Sequence, residues 1–144
     1  MSPDDVSAGR YDERFLAGVR YFNACDFFEA HEEWEELWTE YQGPSRKFFQ
    51  GLIQVAVCLH HFGNGNARGA IKLYRSSRDY LAPYGPFHLG VDVAKLLREL
   101  EICCQELLAS ADEFPKVEIV ADLIPEIHLD PPPAVDSDAT ADER

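Results

Sequence analysis

His31 and Glu35 stand one helical turn apart, at i and i+4, with Glu32 beside the histidine and Trp38 a further turn on. An imidazole and a carboxylate at that spacing project to one side of a helix and can share a proton, an ion or a polar ligand. Gln50, Gln54 and His61 follow at i, i+4 and i+11, within about 40° of one another on a second helical wheel. Burying such groups without partners is costly, so the two sets are expected to meet in a polar cluster. One chemistry for that cluster is a metal centre. His31, Glu35 and His61 would supply the ligands and leave open positions, a set that suits Zn²⁺, Mn²⁺ or Fe²⁺. Metal-assisted hydrolysis would then use Glu32 or Glu35 as general base or ligand and His31 as ligand or acid/base, with Gln50, Gln54 and Trp38 holding a small polar ligand. A second reading makes the cluster a hydrogen-bond network that fixes helix register in a noncatalytic interaction module.

Other chemistries find no residues to carry them. H-E-x-x-H requires a histidine where Glu35 stands, and Glu-x-x-His fails because Phe28 lies three residues before His31. There is no G-x-S-x-G, P-loop or G-x-G-x-x-G, and Ser76 and Ser77 have no evident histidine partner. Cys25, Cys58, Cys103 and Cys104 lack C-x-x-C spacing and read as reduced thiols among apolar neighbours.

The elements that position these residues are helices. Phe15, Val19 and Phe22 mark a helix over 11–24. A second runs over 27–41 behind Asp26 and closes at Gly43-Pro44, and a third runs from Ser45 to about Phe62. Asn66 caps a fourth that reaches Leu81, and a fifth extends over 92–109. The third is apolar nearly all round, as the central rod of a bundle should be, and Gly51 on it allows a neighbouring helix to come close. The expectation is an all-α, antiparallel up-and-down bundle of about five helices over 11–114. A polar N-terminus, 1–10, is expected to be disordered, 115–129 to lie extended against the bundle, and the Pro-rich acidic tail 130–144 to be disordered.

Thirteen Lys+Arg against 26 Asp+Glu in 144 residues leave a net charge of −13, which opposes binding to phosphate backbones or anionic membranes. No apolar run is long enough to span a bilayer, and the N-terminus has neither the charge nor the apolar stretch of a signal peptide, so a cytoplasmic location is expected. Against this background Arg46, Lys47, Arg68, Lys72, Arg75 and Arg78 gather on the third and fourth helices. That patch, or the aromatic edge of Trp34, Trp38 and Tyr41, is the surface an interaction module would offer to a protein partner. A Trp and Phe patch left over from the core would pair with a second subunit.

The run Phe22-Asn23-x-x-Asp26-Phe27-Phe28-Glu29-Ala30-His31-Glu32-x-Trp34-Glu35-x-x-Trp38, then Phe49-Gln50-Gly51-Leu52-Ile53-Gln54, then Gly65-Asn66-x-x-Gly69-Ala70, closely resembles a small prokaryotic family known as domain of unknown function 309. The likeness extends over about residues 15 to 100. It implies an all-helical up-and-down bundle with no assigned reaction, and signature positions at His31, Glu32, Glu35, Trp38, Gln50, Gly51 and Gln54. Gly65-Asn66 followed by Ala70-Ile71-x-x-Tyr74 is also similar to a tetratricopeptide hairpin, but with one copy at most a shared packing solution accounts for it.

Overall fold

A computed structural model describes residues 4–110 and 116–134. Five α-helices dominate: α1 (Glu13–Asn23), α2 (Phe27–Glu40), α3 (Arg46–Gly63), α4 (Ala67–Leu81) and α5 (Val93–Ala109). Each packs on the next in sequence order, which is the all-α up-and-down bundle expected of short connections. Local chemistry sets the ends. Asp12, Asn66 and Asp92 accept from Arg14 N, Gly69 N and Lys95 N as N-caps, whereas Asp26 opens α2 without a side-chain capping bond.

The core forms where apolar residues repeat at helical spacing: Phe15, Val19 and Phe22 on α1; Phe27, Ala30, Trp34 and Leu37 on α2; Val93, Leu96, Leu100 and Leu107 on α5. Half of α3 is buried, as befits the central rod. Two glycines permit the closest helix approaches. A Cβ on Gly18 would collide with the Trp34 indole, and one on Gly51 would lie 2.6 Å from Leu81 Cγ, so α4 does close over Gly51.

Three features depart from the expected outline. Between α4 and α5 a 3₁₀ turn, Ala82–Tyr84, leads into a small antiparallel hairpin, β1 (Phe87–His88) and β2 (Val91–Asp92), with Phe87 opposite Asp92 and His88 opposite Val91. Its turn places both Leu89 and Gly90 at positive φ, 46° and 80°, the requirement of a tight hairpin connection. Leucine in that role leaves no sequence signal. Residues 4–10, expected to be disordered, are tied down through Asp4 and through Gly9, whose carbonyl accepts from Ala134 N at 2.7 Å. The C-terminal strap, 116–134, runs extended over α1 and α5 with a single 3₁₀ turn at Ala121–Leu123, burying Pro125 and Ile127. It stays docked past residue 129: Asp130 N donates to Gly90 O at 2.9 Å and Tyr11 Oη to Pro131 O. The remainder of the expected tail, 135–144, lies outside the described residues. No described helix is long and apolar enough to cross a membrane.

Candidate functional site

Two contacts fix how α2 lies along α3. At one end the Phe28 ring meets His60 at 5.5 Å between centroids and His31 at 5.1 Å. At the other, the Arg46 guanidinium stacks 4.0 Å over the Trp38 ring, and its Nη1 donates to the carbonyls of Trp38 (2.8 Å) and Tyr41 (2.6 Å). Arg46 thereby satisfies carbonyls that the end of α2 leaves open, and a cation there also suits the helix dipole. This antiparallel register runs the His31–Trp38 stretch of α2 alongside the Gln50–Val57 stretch of α3. Gln50, Gln54, Val57 and His61 are all half-buried, as are His31 and Trp38, so the seam is a partly solvated face and not a pocket in the core.

The depth of the expected cluster therefore needs correction. The buried arc of α2 centres on Ala30, Trp34 and Leu37, and Trp34 donates its indole N–H to Phe15 O at 3.1 Å toward α1. His31, Glu35 and Trp38 occupy the flank of that arc. Glu35 was expected to point inward, yet its side chain is 58% exposed, and Glu32 is exposed as well. Glu35 Oε2 does lie 3.4 Å from His31 Nε2, one turn away. His31 Nδ1 sits 2.9 Å from Phe28 O and must donate there, since a carbonyl only accepts; Nε2 carries a proton toward Glu35 only in the imidazolium form.

His61 belongs to a different neighbourhood. Its ring lies against the α4 entrance, with Nδ1 3.2 Å from Asn66 Nδ2 and Cδ2 close under Gly69. Burial, reinforced by the adjacent His60, pulls its pKa below the ordinary imidazole value. Among the described residues no three His, Cys, Asp or Glu side chains come together in a way that could hold a metal ion. The expected set His31–Glu35–His61 for Zn²⁺, Mn²⁺ or Fe²⁺ is not assembled, because one acid faces water and one imidazole faces α4.

What the seam does hold is a pair of unmet polar atoms. Trp38 Nε1, a donor, and Gln54 Oε1, an acceptor, are both buried without a hydrogen-bond partner. Each such atom costs about 1–3 kcal/mol. They come from two positions singled out in the sequence, now on facing helices.

Sequence reasoning missed a second polar centre. Ser45, completely buried at the start of α3, donates from Oγ to Asp4 Oδ1 at 2.7 Å and from its backbone N to Tyr41 Oη at 2.9 Å; Tyr41 Oη donates to the same Asp4 oxygen at 2.6 Å. His88 Nε2, 2.7 Å from Ser45 Oγ, must then be the donor of that bond. Serine, histidine and aspartate meet here, but Ser45 gives its proton to the carboxylate and is sealed from solvent, so the node is a tie joining the N-terminal segment, α3 and the hairpin. Burial between the Phe48 and Tyr84 rings depresses the His88 pKa, and Asp4 opposes that shift. Burial likewise raises the Tyr41 phenol, assisted by Asp4. Only the Leu89–Gly90 turn delivers His88 to this place, and no local pattern announces it.

Residues 15–73 match the model of a family described as Domain of unknown function (DUF309). The chain is 34% identical over 101 residues to an uncharacterized protein of Bacillus subtilis (strain 168), YpuF, an alignment covering 67% of this chain and 58% of that protein. It is 28% identical over 81 residues to an uncharacterized protein of Aquifex aeolicus (strain VF5), covering 56% of this chain and 24% of the relative. The chain thus spans less than two thirds of either relative, and about a quarter of the second. The family match takes in both sides of the α2–α3 seam and stops within α4, short of the residue 100 expected from the motifs; α5 and the strap lie beyond it.

Proposed function

We propose, for a chain that belongs to this family of unknown function over residues 15–73, a noncatalytic binding role in which the α2–α3 seam receives an amide-bearing ligand. The carrying observation is the unmet pair, Trp38 Nε1 and Gln54 Oε1. An amide offers a carbonyl to the indole N–H and an N–H to the glutamine oxygen, so one ligand class answers both. Gln50, half-buried a turn before Gln54, adds a further amide to the same face, and the exposed Phe28 ring, 47% accessible, extends it with apolar surface. Arg46, stacked on Trp38, forms one margin. The scattered acids Glu32 and Glu35 serve as a solvated rim in this reading, and no catalytic step is assigned to them. The four free cysteines fit a reducing, cytoplasmic setting.

The two indole N–H groups give the test its internal control, because Trp34 is already bonded to Phe15 O and Trp38 is not. Titrating isotope-labelled protein with N-methylacetamide, followed by nuclear magnetic resonance, should move the Trp38 indole and Gln54 side-chain signals along a saturable curve and leave Trp34 in place. Equal, non-saturating drift of both indoles overturns the proposal.

A further inference from the structure

We propose that the groove between α5 and the C-terminal strap is a docking site for a cationic amphipathic helix of a partner protein. The proposal does not rest on the α2–α3 seam. Two adjoining cavities, about 550 Å³ and 170 Å³, share Lys95, Glu126 and His128 and together form the groove. Along α5 it extends from Asp92 to Ile102, about 15 Å at the helical rise, which is the length of three helical turns.

Its surface is both apolar and acidic. Phe87, Ile102 and Leu123 line it at 48%, 45% and 39% exposure, three of the six exposed large hydrophobic side chains among the described residues. Side chains of this size left open to water around one concavity mark an interaction surface. The banks carry Asp92, Glu99, Asp122, Glu126 and Asp130 against the single ammonium of Lys95, which Glu99 already holds at 3.0 Å. His128 leans on Glu126 at 3.1 Å. Asp92 is engaged as the cap of α5, which leaves Asp122, Glu126 and Asp130 as the acids of the strap bank.

Charge complementarity selects the occupant. Acidic side chains interspersed with exposed apolar ones along one groove fit a helix whose apolar face presents anchors at i, i+4 and i+7 and whose margins carry Lys or Arg. Anionic lipid is repelled by the same acids. A second copy of the chain offers one cationic helix face, Arg68, Lys72 and Arg75 on α4, but the other exposed residue of that helix is Asp79, so the face supplies no exposed apolar anchor.

Fluorescence anisotropy of a labelled, about four-turn Leu/Lys peptide with one apolar face tests the proposal at roughly physiological salt, where surface attraction is screened within about 8 Å. Saturable binding is expected. It should weaken at least tenfold in Ile102→Asp and, on the opposite bank, in Leu123→Asp, both at exposed positions where folding is checked by circular dichroism. Asp122→Lys combined with Glu126→Lys should weaken it similarly, while Glu29→Lys with Glu36→Lys on α2, an equal change in net charge, should leave it unchanged. Four results overturn the proposal: equal binding of a scrambled peptide of the same composition, equal weakening by the α2 variant, displacement by spermine at matched charge, or a dimer of the free protein that Ile102→Asp dissociates.

Discussion

On the α2–α3 seam the polar atoms are covered and unmet, whereas in the α5–strap groove they are exposed and mostly paired. Trp38 Nε1 and Gln54 Oε1 belong to the first kind; Lys95–Glu99 and Glu126–His128 belong to the second. The seam is held by two long helices with a fully buried tryptophan behind them, the groove by an extended strap fastened at a few hydrogen bonds. Rigid helices can keep a donor and an acceptor unsatisfied, because relaxing them would disturb packing on both sides. A strap cannot, and its groups turn to water or to one another. The two proposals differ accordingly: a small polar ligand for the seam, a large amphipathic one for the groove.

The largest effect that sharpens this contrast comes from the two tryptophans. Trp34 is 0% exposed, stacks near Phe22 at 5.8 Å and closes on Gly18. Trp34→Ala should cost about 3–5 kcal/mol, through lost burial and the cavity left behind, read as a fall in the urea midpoint. Trp38→Phe removes an unmet donor while keeping an aromatic ring under Arg46, and should change stability by less than about 1 kcal/mol. A similar loss in both variants would mean that the seam is ordinary core.

Next in size is the fastening of the strap. The Asn23 side chain donates to Ile127 O and accepts from Ile127 N, each at 2.8 Å. Asn23→Ala strands both backbone groups, and a loss of about 2 kcal/mol is expected. Because the strap is extended chain with a single 3₁₀ turn of its own, the loss should be local: hydrogen exchange at Ile127 accelerates while amides of α2 and α3 keep their protection. Uniform acceleration across the chain would show that strap and bundle form one cooperative unit and that the contrast between the regions is false.

How much of this was legible follows from which period each part obeys. The helices, the glycine contact of α3 with α4 and the α2–α3 facing of Trp38 and Gln54 all follow from a 3.6-residue repeat. The wheel failed on depth: it carries Glu35 inward only if neighbouring Phe28 belongs to the core, and Phe28 is 47% exposed beside His60. A wheel orders side chains around an axis and does not say where the neighbour's shadow ends. Ser45 and His88 were invisible because a leucine, not Asn or Gly, takes the first positive-φ position of the hairpin. The strap has no repeat at all, and the residues that fasten it, Asn23, Tyr11, Gly9 and Gly90, lie far from it in sequence.

A smaller, pH-dependent effect comes from two half-buried imidazoles. Partial burial lowers the pKa of His88 and of His61 below the ordinary value of 6.5. For both half-buried rings the unfolded chain binds more protons than the folded one near and below pH 6.5, so stability rises with pH across that range and is lost as pH falls through it. Thermal midpoints should drop between pH 7.5 and 5.5, and His88→Gln should flatten the slope. An unchanged slope in that variant, with its circular dichroism intact, would place the titration elsewhere.

The smallest effect carries the most weight for function, because its sign decides between two accounts of the seam. If Gln54 Oε1 is unmet in the free protein, Gln54→Leu deletes a penalty and keeps the volume, and stability should stay level or rise by up to about 1 kcal/mol. If the amide instead pins helix register through a hydrogen bond, the same change should cost about 1 kcal/mol or more and should slow no binding event, since no ligand is involved. A level or raised urea midpoint, together with loss of the Trp38 response to N-methylacetamide, leaves the seam as a binding face. A lowered midpoint with that response intact turns it into scaffold, and the groove on α5 would then be the surface through which the protein meets its partners.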